Sequence, residues 1–152
     1  MNRLKTLLAG GLLAAGMAAG GMAQVPPPAV AADPVKADFL ARVGSDVVYF
    51  AGTGHVLDAS ARTTLTAQAQ WLLANPAIQV RIEGHSDLAD TRDHALGVGK
   101  RRADSVRDFL LLNGVPAAQV SAVSFGKERP ATNGPGEAMA ALNRRAVTAF
   151  VR

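Results

Sequence analysis

The sequence predicts an α/β (α+β) fold in which short strands alternate with amphipathic helices over about Asp38 to Arg152. Two observations carry this. Ile78, Val80 and Ile82 alternate with Gln79, Arg81 and Glu83, the period of two expected of a half-buried strand. Further along, Ala95, Val98, Val106, Phe109 and Leu110 fall on one stripe at helical spacing. A helix that follows one strand and leads to the next implies a sandwich, with parallel pairing wherever such a helix crosses between neighbouring strands.

Taken from the N-terminus, Arg3 and Lys5 precede an uncharged run from Leu7 to Ala23 that ends in Gly21-Met22-Ala23, with small residues at both cleavage-recognition positions. This is the pattern of a secretory signal peptide, expected over residues 1–23. Five glycines among those seventeen residues make a poor packed helix and a weak membrane span. Residues 24–37 are rich in proline and alanine and are expected to form an extended tether, because proline enters neither helix interiors nor sheet ladders. The folded domain is expected over residues 38–152.

Within that domain, Val47-Val48-Tyr49-Phe50 is a β-branched and aromatic run stopped by Gly52-Thr53-Gly54, which marks a first strand. Asp58 or Ser60 can cap the next segment, where Ala61, Leu65, Ala69, Leu72 and Leu73 recur at helical spacing until Asn75-Pro76. The second strand, beginning at Ile78, closes at Gly84. A polar loop from Ser86 to Asp93 leads to the second helix, which Gly114 stops. Val120 to Phe125 reads as a third strand, and Gly126 to Gly136, with three glycines and two prolines, as a loop. Glu137 to Leu142 can make a short helical turn, and Arg145 to Val151 the last strand.

Composition excludes several functions. The 152 residues carry 16 basic and 12 acidic side chains, and loss of residues 1–23, which hold two of the bases and no acid, leaves a balance of +2. These charges are scattered and interleaved rather than gathered on a basic face, so nucleic acid is not expected as a partner. The chain has no cysteine, which excludes disulfides, thiolate metal sites and a lipidated cysteine, so no direct lipid anchor is expected. The three histidines share no metal-ligand spacing, although His85, Asp87 and His94 could converge. No cofactor is expected. Ser124-Phe125-Gly126-Lys127 matches a serine-x-x-lysine pattern but reads as strand and loop, where the lysine cannot sit one helical turn from the serine. Gly97-Val98-Gly99-Lys100 falls within a helix and lacks the loop of a phosphate cradle. The chain is therefore not read as an enzyme.

One residue breaks the local pattern. Arg102 lies four residues from both Val98 and Val106, so its side chain leaves the helix on the apolar stripe. A buried guanidinium needs a compensating anion from the protein or from a ligand, because an unpaired buried charge costs several kcal/mol. The alternatives are an arginine that snorkels to water from the edge of the stripe or pairs with a structural carboxylate. Asp87, just past the second strand, is the candidate acid. Together the two could clamp a zwitterion, carboxylate to ammonium and guanidinium to carboxylate, or they could neutralise one another.

These residues resemble a known family. Ile82-Glu83-Gly84-His85-Ser86-Asp87, then Arg102-Ala103 with Val106 and Leu110, then Ser124-Phe125-Gly126-Lys127-Glu128-Arg129-Pro130 and Asn143-Arg144-Arg145-Ala146-Val147, are similar to the OmpA-like C-terminal domain, most of all to its peptidoglycan-associated lipoprotein branch. The resemblance covers roughly Val47 to Val151. It implies a two-layer sandwich, a mixed sheet of about four strands with two main helices on one face plus a short third helix. It also implies a periplasmic protein, associated with the outer membrane or cell wall, that binds peptidoglycan non-covalently through the diaminopimelate of the stem peptide. Tol-Pal-type envelope proteins are the implied protein partners. By the same resemblance Asp87 receives the diaminopimelate ammonium and Arg102 its carboxylate, with Ser86 beside the aspartate. Phe50 and Thr53 border the pocket, Arg144 supports its rim, and His85 is a structural residue at the strand end.

Three positions depart from the family pattern. Ala95 stands where an asparagine is usual eight residues after the aspartate, Asp90 replaces a loop glycine and Ala51 an aspartate. Loss of one hydrogen bond costs about 0.5–1.5 kcal/mol, which weakens binding rather than abolishing it. The rival reading is a divergent periplasmic protein-interaction module that kept the fold and lost peptidoglycan binding. Mass analysis of the secreted protein should give an N-terminus at Gln24, and a mature form that retains Met1 would overturn the signal-peptide reading.

Overall fold

The computed structural model describes residues 33–152. Its elements run α1 (Pro34–Val43), β1 (Val47–Tyr49), α2 (Ala59–Ala74), β2 (Val80–His85), α3 (Arg92–Leu112), a 3-10 turn (Ala117–Gln119), β3 (Val120–Gly126), α4 (Glu137–Asn143) and β4 (Arg145–Phe150). The predicted strands and helices are present, with β2 starting at Val80 rather than Ile78. Ile78 instead closes a turn, its amide donating to the Asn75 carbonyl at 3.0 Å.

Helix α1 was not expected. It takes in the last residues of the stretch read as an extended tether over 24–37, and the expected domain start at Asp38 falls inside it. The physical reason is local. Pro34 sits in the first turn, where its missing N–H costs nothing, and the Asp33 side chain caps the helix by accepting from the Val35 amide at 3.0 Å. Phe39 is the residue that docks it. Fully buried, it packs edge-on against Trp71 and Phe150 at centroid distances of 5.1 and 5.2 Å. The Trp71 indole N–H reaches back to Asp38 at 2.8 Å. Residues 1–23 and most of the tether lie outside the described residues.

The sheet has the order β1-β4-β2-β3. The crossover through α3 makes β2 and β3 parallel, with Ile82 opposite Ala122, as the strand-helix-strand pattern predicts. The chain end supplies what the pattern did not: β4 inserts between β1 and β2, antiparallel to both. The sheet is therefore mixed. Helices α2 and α3 bury Leu65, Ala69, Leu72, Val106 and Leu110 against Val48, Val80, Ile82, Val120 and Ala146 of the sheet. Thr148 and Gln68, both buried in this layer, satisfy one another. The Thr148 hydroxyl donates to Gln68 Oε1 at 2.7 Å, and Gln68 Nε2 donates to the Ser45 carbonyl at 3.0 Å.

Two glycines set how closely α3 lies on the sheet. A Cβ added at Gly84 would stand 1.8 Å from the Gly99 carbonyl oxygen, and one at Gly99 would stand 2.3 Å from Ser124 Oγ. At Gly84 the obstacle is main chain, which cannot turn aside, and a Cβ at Gly99 would also stand 2.8 Å from the Gly84 carbonyl oxygen. Gly84→Ala should therefore lower stability by on the order of 3 kcal/mol, as overpacking against rigid main chain does. Urea unfolding of the purified variant measures this, and an unchanged midpoint would show that α3 can move away from β2 at little cost.

Candidate functional site

The close contact of α3 with β2 places Arg102, one turn beyond Gly99, at the C-terminal end of β2. Arg102 is fully buried. Its guanidinium donates to three main-chain carbonyls: Nε to Gly54 at 2.8 Å, Nη1 to His85 at 2.9 Å and Nη2 to Gly52 at 2.7 Å. The Phe50 ring lies 5.3 Å from the guanidinium carbon, within cation–π range. The side chain thus bolts the Gly52-Thr53-Gly54 turn to the end of β2. Gly52 has φ 54°, which a side-chain-bearing residue rarely adopts, and that twist aims its carbonyl at the arginine.

No carboxylate among the described residues forms an ion pair with Arg102, so it neither snorkels to water nor rests on a structural acid. Burial pulls its pKa down to about 10, a fall that the nearby Asp87 charge opposes. Three of the five N–H bonds of a guanidinium are used, and one on each Nη has no partner among the described residues.

Asp87 sits where β2 runs into the loop before α3, partly exposed. One carboxylate oxygen accepts from the Ala89 amide at 3.1 Å, and the other pairs with Arg144 Nη1 at 3.3 Å. Direct neutralisation by Arg102 is therefore not how Asp87 is held. Arg144 is the intermediary: its Nη2 contacts the Glu137 carboxylate, and its Nε is buried without a partner. Glu137 first and Asp87 second hold the Arg144 guanidinium in its charged form. Ser86 is buried, its amide donating to the Gly126 carbonyl at 2.9 Å and its hydroxyl to the Asp87 carbonyl at 3.1 Å. Thr53 is exposed at the tip of the turn that Arg102 grips.

The Asn-Arg-Arg segment acts as a unit. Asn143 is buried, and its amide group accepts from Ala131 and Thr132 and donates to the Thr132 carbonyl, which folds the loop between β3 and α4 back on itself. Arg145 donates to the Arg129 carbonyl of the same loop. Glu137, the first residue of α4, was not singled out by sequence. Its only signal is a spacing of seven from Arg144, two helical turns.

Other candidates are accounted for. The Ser124 hydroxyl donates to the Leu96 carbonyl at 2.7 Å, and Lys127 Nζ binds the Asp90 carbonyl, so the two side chains serve α3 and its preceding loop rather than each other. His94 pairs with Asp90 at 3.0 Å, away from His85. Ala95 is fully buried, and Gly126 packs so closely on it that an added Cβ there would lie 3.0 Å from the Ala95 carbonyl carbon.

The chain belongs to the OmpA family, whose profile matches residues 49–144. It is 41% identical over 111 residues to the peptidoglycan-associated lipoprotein of Brucella melitensis, covering 73% of this chain and 66% of that protein. The chain thus spans just under two thirds of that relative's length. The peptidoglycan-associated lipoprotein of Pasteurella multocida is 41% identical over 105 residues, 69% of this chain and 70% of its own. Among solved structures, the peptidoglycan-associated lipoprotein of Burkholderia pseudomallei superposes with a TM-score of 0.69 at 36% identity, over 71% of this chain and 92% of that one. The C-terminal domain of Helicobacter pylori MotB shares the fold, with a TM-score of 0.65 at 17% identity over 70% of this chain and 84% of that one.

His85 gives the site a pH limit. Its ring is buried, makes no hydrogen bond through either nitrogen and lies 5.8 Å from the Phe125 ring. Burial first, then the charges of Arg145 and Arg129, lower its pKa from 6.5 to about 4. Below pH 6.5 the unfolded chain takes up a proton that the folded chain refuses until about pH 4, so stability falls with pH through that window. The full loss is about 3 kcal/mol. Urea midpoints measured from pH 7 to pH 4 should fall less steeply for His85→Leu than for the parent chain, and parallel curves would show that other groups set the acid limit.

Proposed function

We propose that this domain binds peptidoglycan non-covalently in the periplasm, through the diaminopimelate of the stem peptide, and so contributes to cell-envelope integrity. The observation that carries the reading is the uncompensated charge of Arg102. A fully buried guanidinium with three carbonyl partners and no anion retains two N–H bonds, and a carboxylate is the group whose two oxygens fit such a fork. Family membership and the names of the peptidoglycan-associated relatives support peptidoglycan as the polymer bound.

In this reading the ammonium of the amino-acid end meets Asp87 and the carboxylate meets Arg102. The Gly52-Thr53-Gly54 turn covers the guanidinium, so admission of the carboxylate requires that turn to open, and Thr53 at its tip borders the entering ligand. Ser86 holds the main chain beneath Asp87, and Arg144 holds the carboxylate from the side. The ligand end is a zwitterion, and binding leaves the charge of the site unchanged.

Co-sedimentation of the full secreted chain with purified sacculi tests this. The parent chain should pellet at physiological salt and be released by excess meso-diaminopimelate. Asp87→Ala should weaken binding roughly tenfold or more, the effect of losing a charge-assisted hydrogen bond. Arg102→Lys, which keeps the charge and loses the fork, should weaken it as well. A parent chain that stays in the supernatant would refute the proposal.

A further inference from the structure

The site just described holds two guanidinium groups, those of Arg102 and Arg144, and two carboxylates, those of Asp87 and Glu137. They are not equivalent. Arg144 is nearly buried, with 9% of its side chain exposed, and faces Asp87 with one Nη and Glu137 with the other. Its contact with Asp87 is long, 3.3 Å, and its other Nη forms an ion pair with the Glu137 carboxylate. Asp87 is 19% exposed and keeps acceptor capacity to spare, with only Ala89 and Arg144 as partners. Glu137 is 81% exposed. Among the described residues Arg144 is the one side chain that pairs with it.

We infer that Glu137 is a positioning residue for ligand binding: by drawing Arg144 toward itself it keeps the Asp87 carboxylate available to a cationic group of the ligand. The inference rests on the proposed role of Asp87. With Glu137 in place the four charges cancel, and an amino-acid zwitterion enters a neutral site. Without it the site carries an excess positive charge, Arg144 is free to pair fully with Asp87, and an incoming ammonium must displace a guanidinium held by a single acid. No other acid among the described residues pairs with Arg144.

The test measures binding of a fluorescent soluble muropeptide containing meso-diaminopimelate to the full secreted chain by anisotropy. Glu137→Gln should weaken binding roughly fivefold, the upper reach of an exposed charge pair. Its thermal midpoint should stay near that of the parent, because the side chain is solvent-facing. Glu137→Asp, which keeps the negative charge at this position, should bind nearly as the parent does. Parent-like binding by Glu137→Gln overturns the inference, and so does a Glu137→Asp variant as weak as Glu137→Gln, which would mean that binding needs the glutamate side chain itself rather than its charge beside Arg144. Asp87→Ala in the same assay separates the two levels. If it binds like the parent, the assignment of Asp87 fails; if it does not bind while Glu137→Gln binds normally, only the role of Glu137 fails.

Discussion

The buried guanidinium of Arg102 is the interaction on which the rest of the site depends. Three segments distant in sequence, the turn after β1, the end of β2 and the middle of α3, meet at its three nitrogens. Main-chain carbonyls take up three of its five N–H groups without neutralising its charge. A structural arginine whose only task was to close this corner would gain from a carboxylate, because an unpaired buried charge is costly. Dipoles hold the group in place, and no carboxylate among the described residues forms an ion pair with it.

The arginine reaches this corner because α3 lies unusually close to the sheet. Gly84 and Gly99 allow main chain to touch main chain, and Ala103 continues the small-residue seam a turn later. The closeness moves Arg102 to the carbonyl end of β2 instead of leaving it above the sheet. On the opposite side of that strand end, His85 fills the space beside Phe125 with a ring that must stay neutral. The carbonyl of the same residue binds Arg102, so one residue couples the packing of both sheet faces to the site. Acidification therefore strains the strand that carries the arginine's partner.

A second layer of charge surrounds the first. Arg144 stands between Asp87 and Glu137, and Asn143 shapes the loop between β3 and α4 that leads to them. The Asn-Arg-Arg segment thus organises a loop, holds an acid and starts the strand that pairs with both β1 and β2. Insertion of β4 at that place brings Asp87 and Arg144 together, although 57 residues separate them.

Periodicity made the alternating elements legible in the sequence, since half-buried strands and helices impose their own repeats on apolar residues. The misplaced position of Arg102 was legible for the same reason, since it interrupts its stripe, and Asp87 was legible as the acid just past β2. Helix α1 was obscured because proline and alanine suit both a tether and a capped first turn, and burial of Phe39 against Trp71 and Phe150 decides between them. The place of β4 in the sheet, the carbonyl cradle around Arg102 and the Arg144–Glu137 pair could be decided only by tertiary structure. Each joins groups far apart in the chain, or through main-chain atoms that every residue shares, and no local spacing records such a contact.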